Sequence, residues 1–187
     1  MKKFIAIILS IITMTSTTAF AANIPRETAP LNATEEQICI VENLIRDILD
    51  EVQSGNLGYA LATGYANTRI RKAVIAGETS GHGYGILSPI AQNAIRTMRD
   101  RQLRPDAYAQ AEKELKVLLA DVITAVHDGM DIDTATKEAY AKIYQSVDAS
   151  FNYDEQFSLD TCYRDVPAVG MEKFTVARKL LLEAIQK

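Results

Sequence analysis

One stretch of this chain constrains its fold more than any other: Thr34-Glu35-Glu36-Gln37 followed by Ile38, Val41, Ile45, Ile48 and Val52. The first four residues form a capping box, in which the threonine hydroxyl accepts from the third backbone N–H and the glutamine reaches back. The apolar residues then recur at the spacing of one helix face, and Gly55 supplies the stop. The same pattern of start, stripe and stop repeats along the chain. Asn56 is placed to cap a second helix over 57–76, with Leu57, Leu61, Tyr65, Ile70 and Val74 as its stripe, a basic end (Arg69, Arg71, Lys72) and Gly77 as its stop. Ser88-Pro89 reads as the opening of a third helix, to about Gln102. Pro105-Asp106 opens a fourth, with Leu115, Leu118, Val122 and Val126 inward and Gly129 at its end. A fifth runs from near Asp133 to about Ala149 through Ala139, Ile143 and Val147. A last one, over 170–186, carries Phe174, Ala177, Leu181 and Ile185. No stretch alternates with period two, and no repeat or low-complexity tract is present. The expectation is an all-α fold, a single-domain helical bundle of about six helices over 34–187.

Ahead of the bundle, Lys2 and Lys3, the apolar run Phe4–Ile12, a polar stretch and Ala19-Phe20-Ala21 have the three-part layout of a secretory signal. The run is shorter than the roughly 20 residues of a membrane span. Residues 1–21 are therefore read as a cleaved leader, 22–33 as an extended lead-in and 150–168 as a looser link. With Lys2 and Lys3 removed and all 24 acids retained, the net charge moves from −4 to −6. A net acidic chain is poorly suited to neutralising phosphates, so nucleic acid is not an expected partner. No later segment is apolar for long enough to span a bilayer. Two cysteines in an exported chain suggest a disulfide between Cys39 and Cys162, tying the first helix to the link before the last.

Chemistry concentrates in residues 77–87, GETSGHGYGIL, with four glycines. Phosphate loops need a preceding strand, and the P-loop also needs a lysine; both are missing here. Ala73-Val74-Ile75-Ala76-Gly77-Glu78-Thr79-Ser80, with Ser88-Pro89 beyond it, resembles the helix end that carries the catalytic glutamate of lysozyme-like lytic transglycosylases. That resemblance implies Glu78 as a general acid, protonating a glycosidic oxygen with a raised pKa in a half-closed cleft. It covers about twenty residues, and residues 91–98 read AQNAIRTM where the family carries a Gly-Ala-x-Gly-Leu-Met-Gln-like stretch. Ser80 and His82 stand too close in sequence for a nucleophile–base pair, and no G-x-S-x-G elbow is present. His127 falls in a last helical turn beside Gly129. Asp128, Asp131 and Asp133 lack a calcium loop's spacing, with Thr136 at the glycine position and Lys142 at the final glutamate position, and are read as helix caps. No metal or cofactor is expected.

Arg96, Arg99, Arg101 and Arg104 form, with Arg69, Arg71 and Lys72, a basic middle in an acidic chain. They suit an acidic partner or pairing with the acidic first helix. Arg96, Arg99, Arg104, His82 and Tyr84 are the candidate binding residues. With no convergent set of acid, base, nucleophile or metal ligands, the pattern favours a non-enzymatic exported protein that binds a protein partner, of antagonist, secretion-accessory or chaperone type. The alternatives are glycan cleavage through Glu78 and a small-ligand carrier with residues 77–87 as its lid.

Overall fold

The computed structural model describes residues 23–150 and 169–186. Seven α-helices run through these residues: α1 Glu35–Gln53, α2 Tyr59–Ala76, α3 Tyr84–Leu103, α4 Pro105–Leu118, α5 Ala120–His127, α6 Ile132–Val147 and α7 Met171–Ile185. No strand occurs among them, so the chain is all-α. Residues 1–22, where the leader is expected, and residues 151–168, with Cys162, lie outside the described residues.

The capping box forms as expected: Thr34 Oγ1 accepts from the Gln37 N–H at 3.3 Å, and Gln37 Oε1 accepts from the Thr34 N–H at 3.0 Å. All five stripe residues of α1 are buried, and Leu49 joins them. Glu42 is buried too, because the lead-in docks on α1 instead of running free. The Ile24 N–H donates to Glu42 at 2.9 Å, Arg26 pairs with Glu42 at 2.7 Å and with Glu35 at 3.0 Å, and Ile24 and Ala29 enter the core. A 3-10 turn over Arg26–Thr28 gives this segment its shape.

Two apolar clusters result. One joins the lead-in, α1, α2 and α3; the other joins α4, α5, α6 and α7. Polar contacts cross between them. Arg101 reaches Glu27 at 2.8 Å and lies over the Tyr108 ring, Arg104 bridges Asp100 and Glu172, and Arg178 of α7 donates to the Ala29 carbonyl.

Several expectations about the helices need correction. The third helix begins at Tyr84, not Ser88, since the extra turn buries Leu87. Pro89 then sits inside α3, where it forfeits one backbone hydrogen bond, and Ser88 is a buried side chain, not a cap. The fourth helix is two, because Leu119 (φ −105°, ψ 15°) breaks it. The inward face of α2 is not Leu61 and Tyr65 but Ala62, Ala66, Ile70 and Ala73. Cys39 is exposed on the outer face of α1, next to Ile38, which turns inward, and its expected disulfide partner Cys162 lies outside the described residues.

Candidate interaction surface

Helix α2 packs between α1 and α3 through alanine. Ala62, Ala66 and Ile70 are fully buried and Ala73 nearly so. Small side chains let the three axes approach closely, which is why the alanine face wins the core position over the bulkier one. Facing α3, Asn67 Oδ1 accepts from Ser88 Oγ at 2.8 Å and from Gln92 at 3.3 Å, while Gln92 also donates to Ser88 Oγ at 2.7 Å. The consequence appears on the opposite side. Leu61 is 60% exposed, Tyr65 56% and Ile75 80%, along with Gly64, Thr68 and Lys72 on the same stripe.

The loop after α2 is tied down. Gly77 takes the left-handed conformation (φ 75°) that favours glycine, its N–H bonding to Val74 and that of Glu78 to Ala73, which closes a Schellman cap. Gly55 and Gly129 end α1 and α5 in the same way. Thr79, buried, donates its hydroxyl to the His82 carbonyl at 2.7 Å and accepts the His82 N–H at 2.9 Å. The His82 ring lies against the start of α1, with Nδ1 3.4 Å from the Gln37 amide and Nε2 3.7 Å from Glu36. Its ring nitrogens therefore face α1, and Ser80 is exposed. Tyr84, half-buried at the first turn of α3, lies under the Arg71 guanidinium at 5.1 Å.

The expected arginine cluster does not converge. Arg104 is engaged by Asp100 and Glu172, and Arg99 donates to Gln102 at 2.7 Å on its own helix. The Arg104 guanidinium holds the Asp100 carboxyl below its ordinary range, against the opposing effect of burial. Asp100 in turn accepts from Tyr108 at 3.1 Å, and burial first, then that hydrogen bond, push the phenol up to about 12. Arg96 and Arg104 are exposed, and Arg99 is half-buried. Arg69 pairs with Asp47 on the acidic first helix and donates to the Leu44 carbonyl at 3.1 Å, so part of the basic group does serve inside the bundle.

The remaining candidates are dispersed. Glu78 is exposed at the loop's edge. His127 ends α5 beside Asp128, 3.5 Å away. Asp131 is the N-cap of α6, accepting from the Thr134 N–H at 2.9 Å, which holds its carboxyl low. Thr136 is buried, with its hydroxyl on the Ile132 carbonyl, and Lys142 pairs with Asp121. Among the described residues no group of three or more His, Cys, Asp or Glu side chains is placed to hold a metal ion. No helix among them is long and apolar enough to cross a membrane.

No family model, no curated protein and no solved structure matches this chain. The outer face of α2 is the surface that sequence reasoning missed. The signal for it was present: residues 57–76 contain no acid in a chain that holds 24, and Ala62, Ala66 and Ala73 fall at helical spacing on the side away from Leu61 and Tyr65.

Proposed function

We propose that this is an exported, non-enzymatic helical protein that works outside the cytoplasm by binding a protein partner, and that the outer face of α2 is where it binds. One observation carries the reading: α2 turns alanine inward and leaves Leu61, Tyr65 and Ile75 in water. Scattered single apolar residues are ordinary on a surface, but an aligned apolar stripe on an acid-free helix is the composition of a contact patch. Export is supported by the three-part layout of residues 1–21.

Affinity capture from the producing cell's envelope tests the proposal, with the purified chain and its Leu61→Asp/Tyr65→Asp variant as parallel baits. A partner held by the first and lost by the second is the expected result. Release of fragments from peptidoglycan, abolished by Glu78→Gln, would overturn it. Recovery of the uncleaved chain in the cytosol would remove the compartment on which it depends.

A further inference from the structure

Leu61, Gly64, Tyr65, Thr68, Lys72 and Ile75 make one stripe at the spacing of successive helical turns, and every one of them is exposed. The stripe points directly away from Ala62, Ala66, Ile70 and Ala73, and so away from the core. Two of its properties are unexplained by the fold of a single chain. The first is its apolar content. The second is Gly64, which interrupts a helix at a cost in stability relative to alanine. A Cβ at Gly64 would meet no atom within 4 Å, so nothing within the chain requires its absence. A glycine on an exposed helix face permits close approach by something outside.

We propose that the outer face of α2 pairs antiparallel with the same face of a second copy of this chain, about a two-fold axis at Thr68. This rests on the reading of that face as a docking surface. The stripe is self-complementary about that point. Leu61 stands seven residues before Thr68 and Ile75 seven after, so each Leu61 meets the other copy's Ile75. Tyr65 and Lys72 lie on the same side of the stripe, three residues before and four after, so each ammonium comes over the other copy's phenol ring, a cation–π arrangement. Thr68 meets Thr68 on the axis, and Gly64 removes the bulk that would hold the two helices apart. Apart from Lys72 the stripe bears no charge, and the two Lys72 positions stand about 12 Å apart along the axis, beyond the screening length of about 8 Å at physiological salt.

Charge complementarity favours a second copy over an acidic partner. Arg69 is already paired with Asp47, and Arg71 lies over Tyr84. Lys72 is then the single cation the stripe itself presents, too little to drive recognition of an acidic surface but matched to Tyr65 across the axis. Pairing is isologous and closes at two copies. One helix face per copy falls at the low end of the roughly 1,200–2,000 Å² of specific interfaces, so the dimer forms reversibly with concentration.

Sedimentation analysis of the purified full chain over a wide concentration range tests this. The expected result is a monomer–dimer equilibrium that weakens tenfold or more in Thr68→Lys, which sets two charges on the axis, and in Leu61→Asp. Thr68→Cys is expected to cross-link two chains on mild oxidation under conditions where the parent, with Cys39, does not. Gly64→Ala separates pairing from folding: it raises the thermal stability of the monomer and weakens the dimer. A monomer at every concentration, or a dimer indifferent to Thr68→Lys, overturns the proposal. Should a monomeric chain still capture an envelope protein that Leu61→Asp releases, self-pairing fails while the docking face stands.

Discussion

The two halves of the molecule solve the same packing problem in opposite ways. In the second, Leu115, Leu119, Val122, Ile143, Leu180 and Leu181 go inside, and the Phe174 ring sits 4.8 Å from Tyr140 and 5.1 Å from Tyr144. The surface around that core is laced with matched charge: Glu112 between Lys116 and Lys179, Lys173 on Glu114, and Lys142 on Asp121. Such exposed pairs are screened by water and add little to stability, so their main effect is a well-solvated exterior. In the first half, α1 supplies the branched aliphatics while α2 supplies alanine, and the large side chains of α2 are left outside. Ion pairs occur in the first half too, at Arg26 and Arg69, and the second half leaves Val117, Val147 and Ile185 exposed. What separates the halves is therefore α2, which alone turns alanine inward and an aligned apolar stripe outward.

Truncation of the two cores should show the largest effects. Leu181→Ala in the second core and Ile45→Ala in the first, both fully buried, are each expected to lose about 2–5 kcal/mol. Because α7 grips the lead-in and the Asp100 network spans the joint, urea unfolding of either variant is expected as one transition by both circular dichroism and tyrosine fluorescence. Two separated transitions would mean the halves are independent. Next, Ala66→Leu forces bulk between α2 and its neighbours, for an expected loss of about 1–3 kcal/mol. A neutral result would show that α2 is not closely seated, and would weaken the reason for its outward face.

Acid probes the joint and both halves together. Asp47 is held low by the Arg69 hydrogen bond, Asp100 by Arg104, Glu112 by Lys116 and Lys179, and Asp121 by Lys142. Groups whose folded pKa is depressed stabilise the fold above their unfolded values, about 4, and lose that contribution as pH falls through the folded ones. Melting temperature should therefore drop progressively below about pH 4, and Asp100→Asn should flatten part of the slope. Tyr108 works the other way: its raised pKa keeps the fold favoured by the neutral phenol, a contribution lost between about pH 10 and 12. Tyrosinate absorbance should show one late-titrating group that Tyr108→Phe removes. Smallest of all, Leu61→Ala and Tyr65→Ala should leave stability within about 0.5 kcal/mol, since these side chains serve no packing in the chain itself.

Much of the backbone was legible. The capping box, the stripe of α1 and the glycine stops at 55, 77 and 129 carry local chemistry strong enough to act without tertiary help. What escaped was decided by packing. Counting large apolar residues as inward misplaces the face of α2, because close helix approach rewards alanine over leucine, and it misreads Ile185, which is 55% exposed at the end of α7. The break at Leu119 has no glycine or proline to announce it. Ser88-Pro89 looks like a start signal, yet the gain from burying Leu87 carries α3 one turn earlier. Arg104 and Arg99 looked available in sequence, where their partners Glu172 and Gln102 could not be assigned; Glu172 lies 68 positions away from Arg104.

The contact between Arg178 and the Ala29 carbonyl joins residues 149 positions apart. The lead-in and α7 therefore cannot close on each other until residue 178 has been made. Under the export proposed for the chain, that closure belongs to the far side of the membrane.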